Sequence, residues 1–284
     1  MDEREQPMIK IITDTSALFT IEEGKRMNID VLPLCVSVDD HHLRDLCFDT
    51  NEFLESVKNG HVPSSSQPPI GDVIEAFERA QGNDVLSICM ADGLSGTYET
   101  ATMAREQMPE KERIHVLNSK TLCGPHRYLV EKAVHLRDAQ EPIQVIIEKL
   151  EESIAHMQSF LIPQDFSFLK RGGRLKPAAA SIGGLLKLKP VMQQVDDGKR
   201  LDKYTIKRTL SKAVSEIMEK FKEMGVNHDY MIYVSHADAL ADAKKIMEQI
   251  KAVFHDTEIQ LLELSPAFIT QGGPGCIAIQ TIKK

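Results

Sequence analysis

The sequence runs to 284 residues, and 42 acidic against 34 basic side chains leave a formal net charge of −8. That length has room for one large domain or two modest ones, and 42% hydrophobic with 27% charged residues excludes wholesale disorder. The acidic balance excludes a nucleic-acid backbone as the main partner, which would need a concentrated surplus of Lys and Arg.

The opening MDEREQPMIK is polar and acidic, unlike a signal peptide. No apolar run approaches the ~20 residues of a membrane span, so no stable membrane insertion is expected. Cys35, Cys47, Cys89, Cys123 and Cys276 are odd in number, scattered, and without a CxxC pair. They predict reduced thiols in a cytoplasm rather than a zinc site or a disulfide framework. The chain has no Trp but 12 Met and 10 Phe. Flexible Met suits both irregular cores and adaptable apolar pockets.

In chain order, β-branched runs predict strands at 9–14, 30–38, 84–91 and 113–118, with helical patterns at 51–59, 69–80, 97–107 and 125–138. Strands spaced by helices mean βαβ units and a parallel sheet. In such sheets ligand groups gather in loops beyond the strand C-termini. Those loops are rich in hydroxyls here: Asp14-Thr15-Ser16, Ser64-Ser65-Ser66 and Ser95-Gly96-Thr97. After a helix over 142–157 the pattern changes. A short strand at 159–163 precedes a Gly- and Arg-rich stretch. Strands at 191–195 and 201–206 then flank Asp196-Asp197-Gly198-Lys199, a hairpin signal because Asp-Gly accepts positive φ. A helix (209–224), a strand (230–235), a helix (238–253) and strands at 258–264 and 276–282 complete the chain. The expected architecture is α/β in two domains. Residues 1–157 form an N-terminal parallel-sheet domain, and 158–284 a C-terminal domain with a mixed, partly antiparallel sheet.

Four motifs carry possible chemistry. Ser64-Ser65-Ser66-Gln67-Pro68-Pro69 leads into a helix; capping would explain it, but three hydroxyls beside free N–H groups also make an anion site. Leu94-Ser95-Gly96-Thr97-Tyr98 places a hydroxyl on a strand-to-helix turn without matching the GxSxG elbow or the P-loop. Leu169-Lys170-Arg171-Gly172-Gly173-Arg174-Leu175, followed by Leu186-Lys187-Leu188-Lys189-Pro190, offers backbone amides and guanidinium forks to a carboxylate or phosphate, or is a solvated turn. Gln271-Gly272-Gly273-Pro274-Gly275 lets backbone approach a ligand, or is simply a turn. Asp39-Asp40-His41-His42 lacks further ligands at useful spacing, so no metal is expected there. His236 follows a strand, where capping the next helix is its commoner role.

Taken in order, these motifs resemble the DegV family, the fatty-acid-binding B subunits of bacterial fatty-acid kinase. The resemblance runs from about Ile9 to Ile282 and includes ITDTSA (12–17), SSQP (65–68), LSGTY (94–98), LKRGGR (169–174), LKLKP (186–190), Gly198-Lys199 with Arg208, and GPG (273–275). It implies two α/β domains enclosing one long-chain fatty acid, with Ser65 and Ser95 on its carboxylate. Ser66, Gly96, Thr97, Gln271 and Gly273 would surround the head group. Arg171 and Arg208 would dock a catalytic kinase subunit or steady the transferring phosphoryl group. The chain itself would need no cofactor, since ATP and metal would reside on that partner. One departure stands out: the family commonly has His where this chain has Gln271, which donates a hydrogen bond but carries neither charge nor a transferable proton. Two other classes remain open from the residues: a stand-alone esterase or small-molecule kinase using Ser95, and a lipid-sensing regulatory module.

Overall fold

A computed structural model describes residues 8–180 and 188–284; Leu186 and Lys187 of the LKLKP segment lie outside the described residues. The first half contains β1 (Ile9–Asp14), α1 (Ile21–Arg26), β2 (Ile29–Leu32), β3 (Cys35–Val38), β4 (His41–Arg44), α2 (Thr50–Lys58) and β5 (Pro63–Ser66). It continues with α3 (Ile70–Arg79), β6 (Asp84–Cys89), α4 (Thr97–Glu106), β7 (Ile114–Asn118), α5 (Cys123–Asp138) and α6 (Ile143–Ile154). The second half contains β8 (Met157–Ile162), α7 (Phe166–Gly172), α8 (Pro177–Ala180), β9 (Lys189–Val195), β10 (Arg200–Lys207), α9 (Leu210–Glu223), β11 (Tyr230–His236), α10 (Leu240–Lys251), β12 (Glu258–Glu263), α11 (Pro266–Gly272) and β13 (Ile277–Lys283).

Among the described residues the strands form three sheets. The parallel one has the order β2-β1-β6-β7. Its strands are apolar on both faces, as a sheet covered on both sides requires. Val85 and Cys89 face α3 and α4 through Val73, Phe77 and Ala101. Leu86 and Ile88 face α5 and α6 through Leu129, Val130 and Leu150. The mixed sheet has the order β10-β9-β8-β13-β11-β12, antiparallel except for β11 with β12. One of its faces packs on α9 and α10 through Phe160, Val234, Phe221 and Ile246. The hairpin between β9 and β10 turns through positive φ at Asp196, Asp197 and Gly198. The fold is therefore mixed α/β, with one parallel and one partly antiparallel sheet.

The third sheet corrects the sequence reading. The strand expected over 30–38 is two strands, because Pro33 has no N–H to extend a ladder. β2 joins the parallel sheet, while β3 centres a small antiparallel sheet, β4-β3-β5. Ser64, Ser65 and Ser66 are in β5 and not in a capping loop. The N-cap of α3 is Pro69, with no side-chain cap. The helix expected to reach 157 stops at Ile154, and Met157 already opens β8.

Helix α5 binds the two larger sheets together. It packs against β1 on one side and against β11 and β13 on the other. Met231, Tyr233 and Ile282 of the mixed sheet thereby share one core with Ile11 and Leu86 of the parallel sheet. The first turn of α5 lies so close to β11 that a Cβ on Gly124 would sit 2.1 Å from Tyr233 Cγ. Among the described residues, no helix is long and apolar enough to cross a membrane.

Candidate functional site

Between the loops of the parallel sheet and one face of the mixed sheet lies a cavity with about 170 Å³ open to the centres of water molecules. Its walls are mostly apolar, with Leu34 and Met90 from the first half and Leu161, Leu169, Leu264 and Phe268 from the second. Ser65, Ser66, Gln67, Ser95, Arg174 and Gln271 also line it.

β5 brings Ser65 opposite Val36 of β3, and Ser66, the last residue of the strand, also borders the cavity. The Ser65 Oγ accepts from Gln271 Nε2 at 3.1 Å and lies 3.1 Å from Thr270 Oγ1. The Thr270 hydroxyl also lies 2.7 Å from the Ala267 carbonyl, a shorter bond that claims its hydrogen. With the Thr270 hydrogen spent there, the Ser65–Thr270 contact is made by the O–H of Ser65, which a bound anion, as the stronger acceptor, would draw to itself. Ser95 stands at the entrance to α4, its Oγ 2.8 Å from Thr97 Oγ1 and accepting from Thr97 N–H at 3.3 Å. Gln67 joins the two hydroxyl groups: its side chain packs on Gly96, within about 3.2 Å of where a Cβ would be.

Arg174 closes this rim. Its Nε donates to the Leu94 carbonyl at 3.1 Å and its Nη1 to the Gly172 carbonyl, so it holds the Ser95 loop against the end of α7. Among the described residues no carboxylate is paired with it, and burial, then the neighbouring Arg200, lowers its pKa. A Cβ at Gly172 would meet Gln271 Oε1, so a larger residue there would push the Gln271 amide aside. The other end of α11 is fixed by Asp45. This carboxylate is fully buried and accepts from Thr15 Oγ1 and Ser265 Oγ at 2.8 Å and from Ala267 N–H at 3.0 Å. Burial pushes the Asp45 carboxyl up to about 6 against the pull of those three donors.

Of the residues singled out from sequence, Ser65, Ser66, Ser95 and Gln271 line the cavity, while Gly96 and Thr97 adjoin it through Ser95 and Gln67. Gly273 packs under the Phe168 ring. Arg171 is exposed, stacked on Phe168 at 4.4 Å and bonded to Ser167. Arg208 is exposed just past β10, outside the cavity lining. The hydroxyls of Thr15 and Ser16 are buried structural groups, bonded to Asp45 and His126, and do not reach the cavity. His236 accepts from Ala239 N–H at 3.4 Å, a turn contact. Among the described residues no cluster of three or more His, Cys, Asp or Glu side chains is placed to hold a metal. Arg174, offered from sequence as one of two guanidinium forks for an anion, is bonded instead to two backbone carbonyls. Sequence reasoning singled out neither Gln67, which lay inside a quoted motif, nor Thr270 nor Asp45, and nothing around the lone Asp45 betrays its partners.

The chain matches, over residues 8–284, the profile of a family described as uncharacterised protein, DegV family. It belongs to the DegV family. A DegV domain-containing protein of Listeria monocytogenes is 30% identical over 277 residues, 95% of this chain and 97% of that protein. One from Halalkalibacterium halodurans is 30% identical over 280 residues, again 95% of this chain and 97% of its own length. Among solved DegV structures, one described as fatty acid binding of a DegV family protein from Thermus thermophilus has a TM-score of 0.88 at 25% identity, covering 98% of this chain and all of its own. DegV from Bacillus subtilis, described as a fatty acid binding protein, has a TM-score of 0.85 at 29% identity, with 98% and 100% covered.

Proposed function

We propose that this DegV protein binds one long-chain fatty acid and presents its carboxylate to a partner kinase for phosphorylation to an acyl phosphate. The observation carrying this reading is the apolar cavity with Ser65 and Ser95 on its polar rim. Each hydroxyl donates one hydrogen bond to the carboxylate, and the tail lies against Leu161, Leu264 and Phe268. Every buried CH₂ contributes roughly 0.8 kcal/mol, so a long tail needs only a modest head-group site. The residues before and after about position 157 act as two units with the ligand between them.

Neutral donors suit this task. A carboxylate held by hydroxyls keeps more negative charge on oxygen than one locked in an ion pair, and remains a nucleophile. In the reaction that oxygen bonds to the γ-phosphorus of ATP on the partner, and the bond to the β-phosphate oxygen breaks, leaving acyl phosphate and ADP. ATP and metal belong to the partner, and Arg171 and Arg208 are exposed to meet it. Gln271 holds Ser65 without titrating, so the head-group chemistry has no proton to exchange at that position.

A hydrolase using Ser95 is less well supported. Among the described residues its Oγ is bonded only to Thr97, and neither imidazole nor carboxylate stands ready to take its proton. The test is gentle purification, organic extraction and mass spectrometry. One equivalent of fatty acid per chain is expected. Lipid-free protein that also fails to take up added fatty acid would sink the reading.

A further inference from the structure

One stretch of the cavity wall is polar where a plain hydrocarbon would lie. On the mixed sheet, Gln280 of β13 pairs with Ser159 of β8. Continuing the β8–β9 register from Phe160 with Gln193 and Leu161 with Met192 sets Ser159 opposite Gln194. The three side chains form one row on one face, and all three line the cavity. The neighbouring row on that face, Ala278 with Leu161, is apolar.

The backbone fixes how both amides point. Gln280 Nε2 donates to the Leu122 carbonyl at 3.0 Å and to Ser159 Oγ at 2.9 Å, while its Oε1 accepts from Gly124 N–H at 3.3 Å. Gln280 is fully engaged. Gln194 Nε2 spends both hydrogens on the carbonyls of Lys120 (3.1 Å) and Gly198 (2.7 Å), so its Oε1 is an acceptor with no hydrogen bond among the described residues. Ser159 accepts from Gln280 and donates to nothing described. Both residues are more than nine-tenths buried, at 7% and 8% exposure. An unspent donor and an unspent acceptor thus stand side by side across two strands without bonding each other, on residues that line the cavity, where a ligand's polar group could meet them.

We infer that this row is a subsite for a hydroxyl group carried on the acyl chain, which accepts from Ser159 Oγ and donates to Gln194 Oε1. The inference rests on the fatty-acid reading above and names its substrate class: in-chain hydroxy fatty acids. The end of α11 lies over the Leu161 row, since a Cβ on Gly272 would be 3.9 Å from Leu161 Cδ1. The polar row is one step farther, about 7 Å along the strands. The hydroxyl therefore belongs several carbons from the carboxylate and not beside it.

The experiment is competitive displacement of a fluorescent fatty acid from the delipidated full chain. The competitors are octadecanoate, 2-hydroxyoctadecanoate and the 5-, 7-, 9-, 10- and 12-hydroxyoctadecanoates. At least one in-chain isomer is expected to bind about fivefold tighter than octadecanoate, with no gain for the 2-hydroxy acid. Ser159→Ala should erase that gain and keep octadecanoate affinity; if this variant does not fold, the wild-type ranking decides alone. Octadecanoate binding as tightly as every in-chain isomer would mean that water fills the gap, and would overturn the inference while leaving the fatty-acid reading intact. A gain that survives Ser159→Ala overturns it too. Failure of all the acids, octadecanoate included, removes the fatty-acid reading and this inference together.

Discussion

At the scale of single residues, the proposed head-group site is a set of short neutral side chains held by longer ones. Ser65 is kept in place by Gln271, and Ser95 by its bonds to Thr97 and the grip of Arg174 on Leu94. In the proposed complex, losing either serine hydroxyl would remove one hydrogen bond to the carboxylate. Ser65→Ala and Ser95→Ala should each weaken fatty-acid binding by about tenfold or more, read by isothermal titration. The lipid-free melting temperature should stay within a degree or two. Unchanged affinity in both variants would show that the carboxylate sits elsewhere. These two serines were legible because each lies in a short motif with distinctive neighbours. Gln67 and Thr270 were not, since their roles depend on β5, the Ser95 loop and α11 meeting in space.

At the scale of elements, α11 is the piece most worth disturbing. It carries Thr270 and Gln271 at one end and is fixed by Asp45 at the other. The Asp45 carboxyl is raised by burial from 3.8 to about 6 in the folded protein. Between those two values the folded state binds more protons than the unfolded one, so this group adds stability as pH falls from 7 towards 4. The full difference is on the order of 3 kcal/mol. Urea unfolding of wild type and Asp45→Asn at pH 7 and pH 5 should show wild type gaining on the variant at the lower pH. A difference between the two that ignores pH would contradict the assignment. A second element contact is equally direct. Gly124→Ala forces α5 away from Tyr233 and should lower stability by about 1–3 kcal/mol or more, visible as a drop in melting temperature. The long helices were readable from their periodicity, as α9 shows with Val214, Ile217 and Phe221 buried on one face. Helix α11 was invisible for the opposite reason, being buried from Pro266 to Thr270 on every side. Strands β3, β4 and β5 have four residues each, too few to announce a sheet, and β5 is mostly serine.

At the scale of the whole molecule, the cavity draws its walls from both halves of the chain, so a ligand inside it touches both. Filling it should stabilise the protein as one unit. Saturation at about a hundred times Kd corresponds to roughly 2.7 kcal/mol, or a rise of about 5–10 °C in melting temperature for a chain of this size. Calorimetry on loaded and stripped protein should give single transitions differing by that amount. Two transitions, with only one moved by lipid, would place the ligand within one half alone.

Helix α5 sets how such a ligand can come and go. Because one helix packs against β1 on one side and β11 and β13 on the other, swinging the halves apart like a clamshell would have to break the core they share. On the reading proposed above, the lipid would pass at the rim, where α7, α11 and the Ser95 loop meet. A lipid threaded in through that doorway leaves tail last, so its carboxylate can be worked on repeatedly from outside while the chain behind it stays put. A protein working in this way would be less a ferry that opens at each shore than a holder gripping its cargo by the tail.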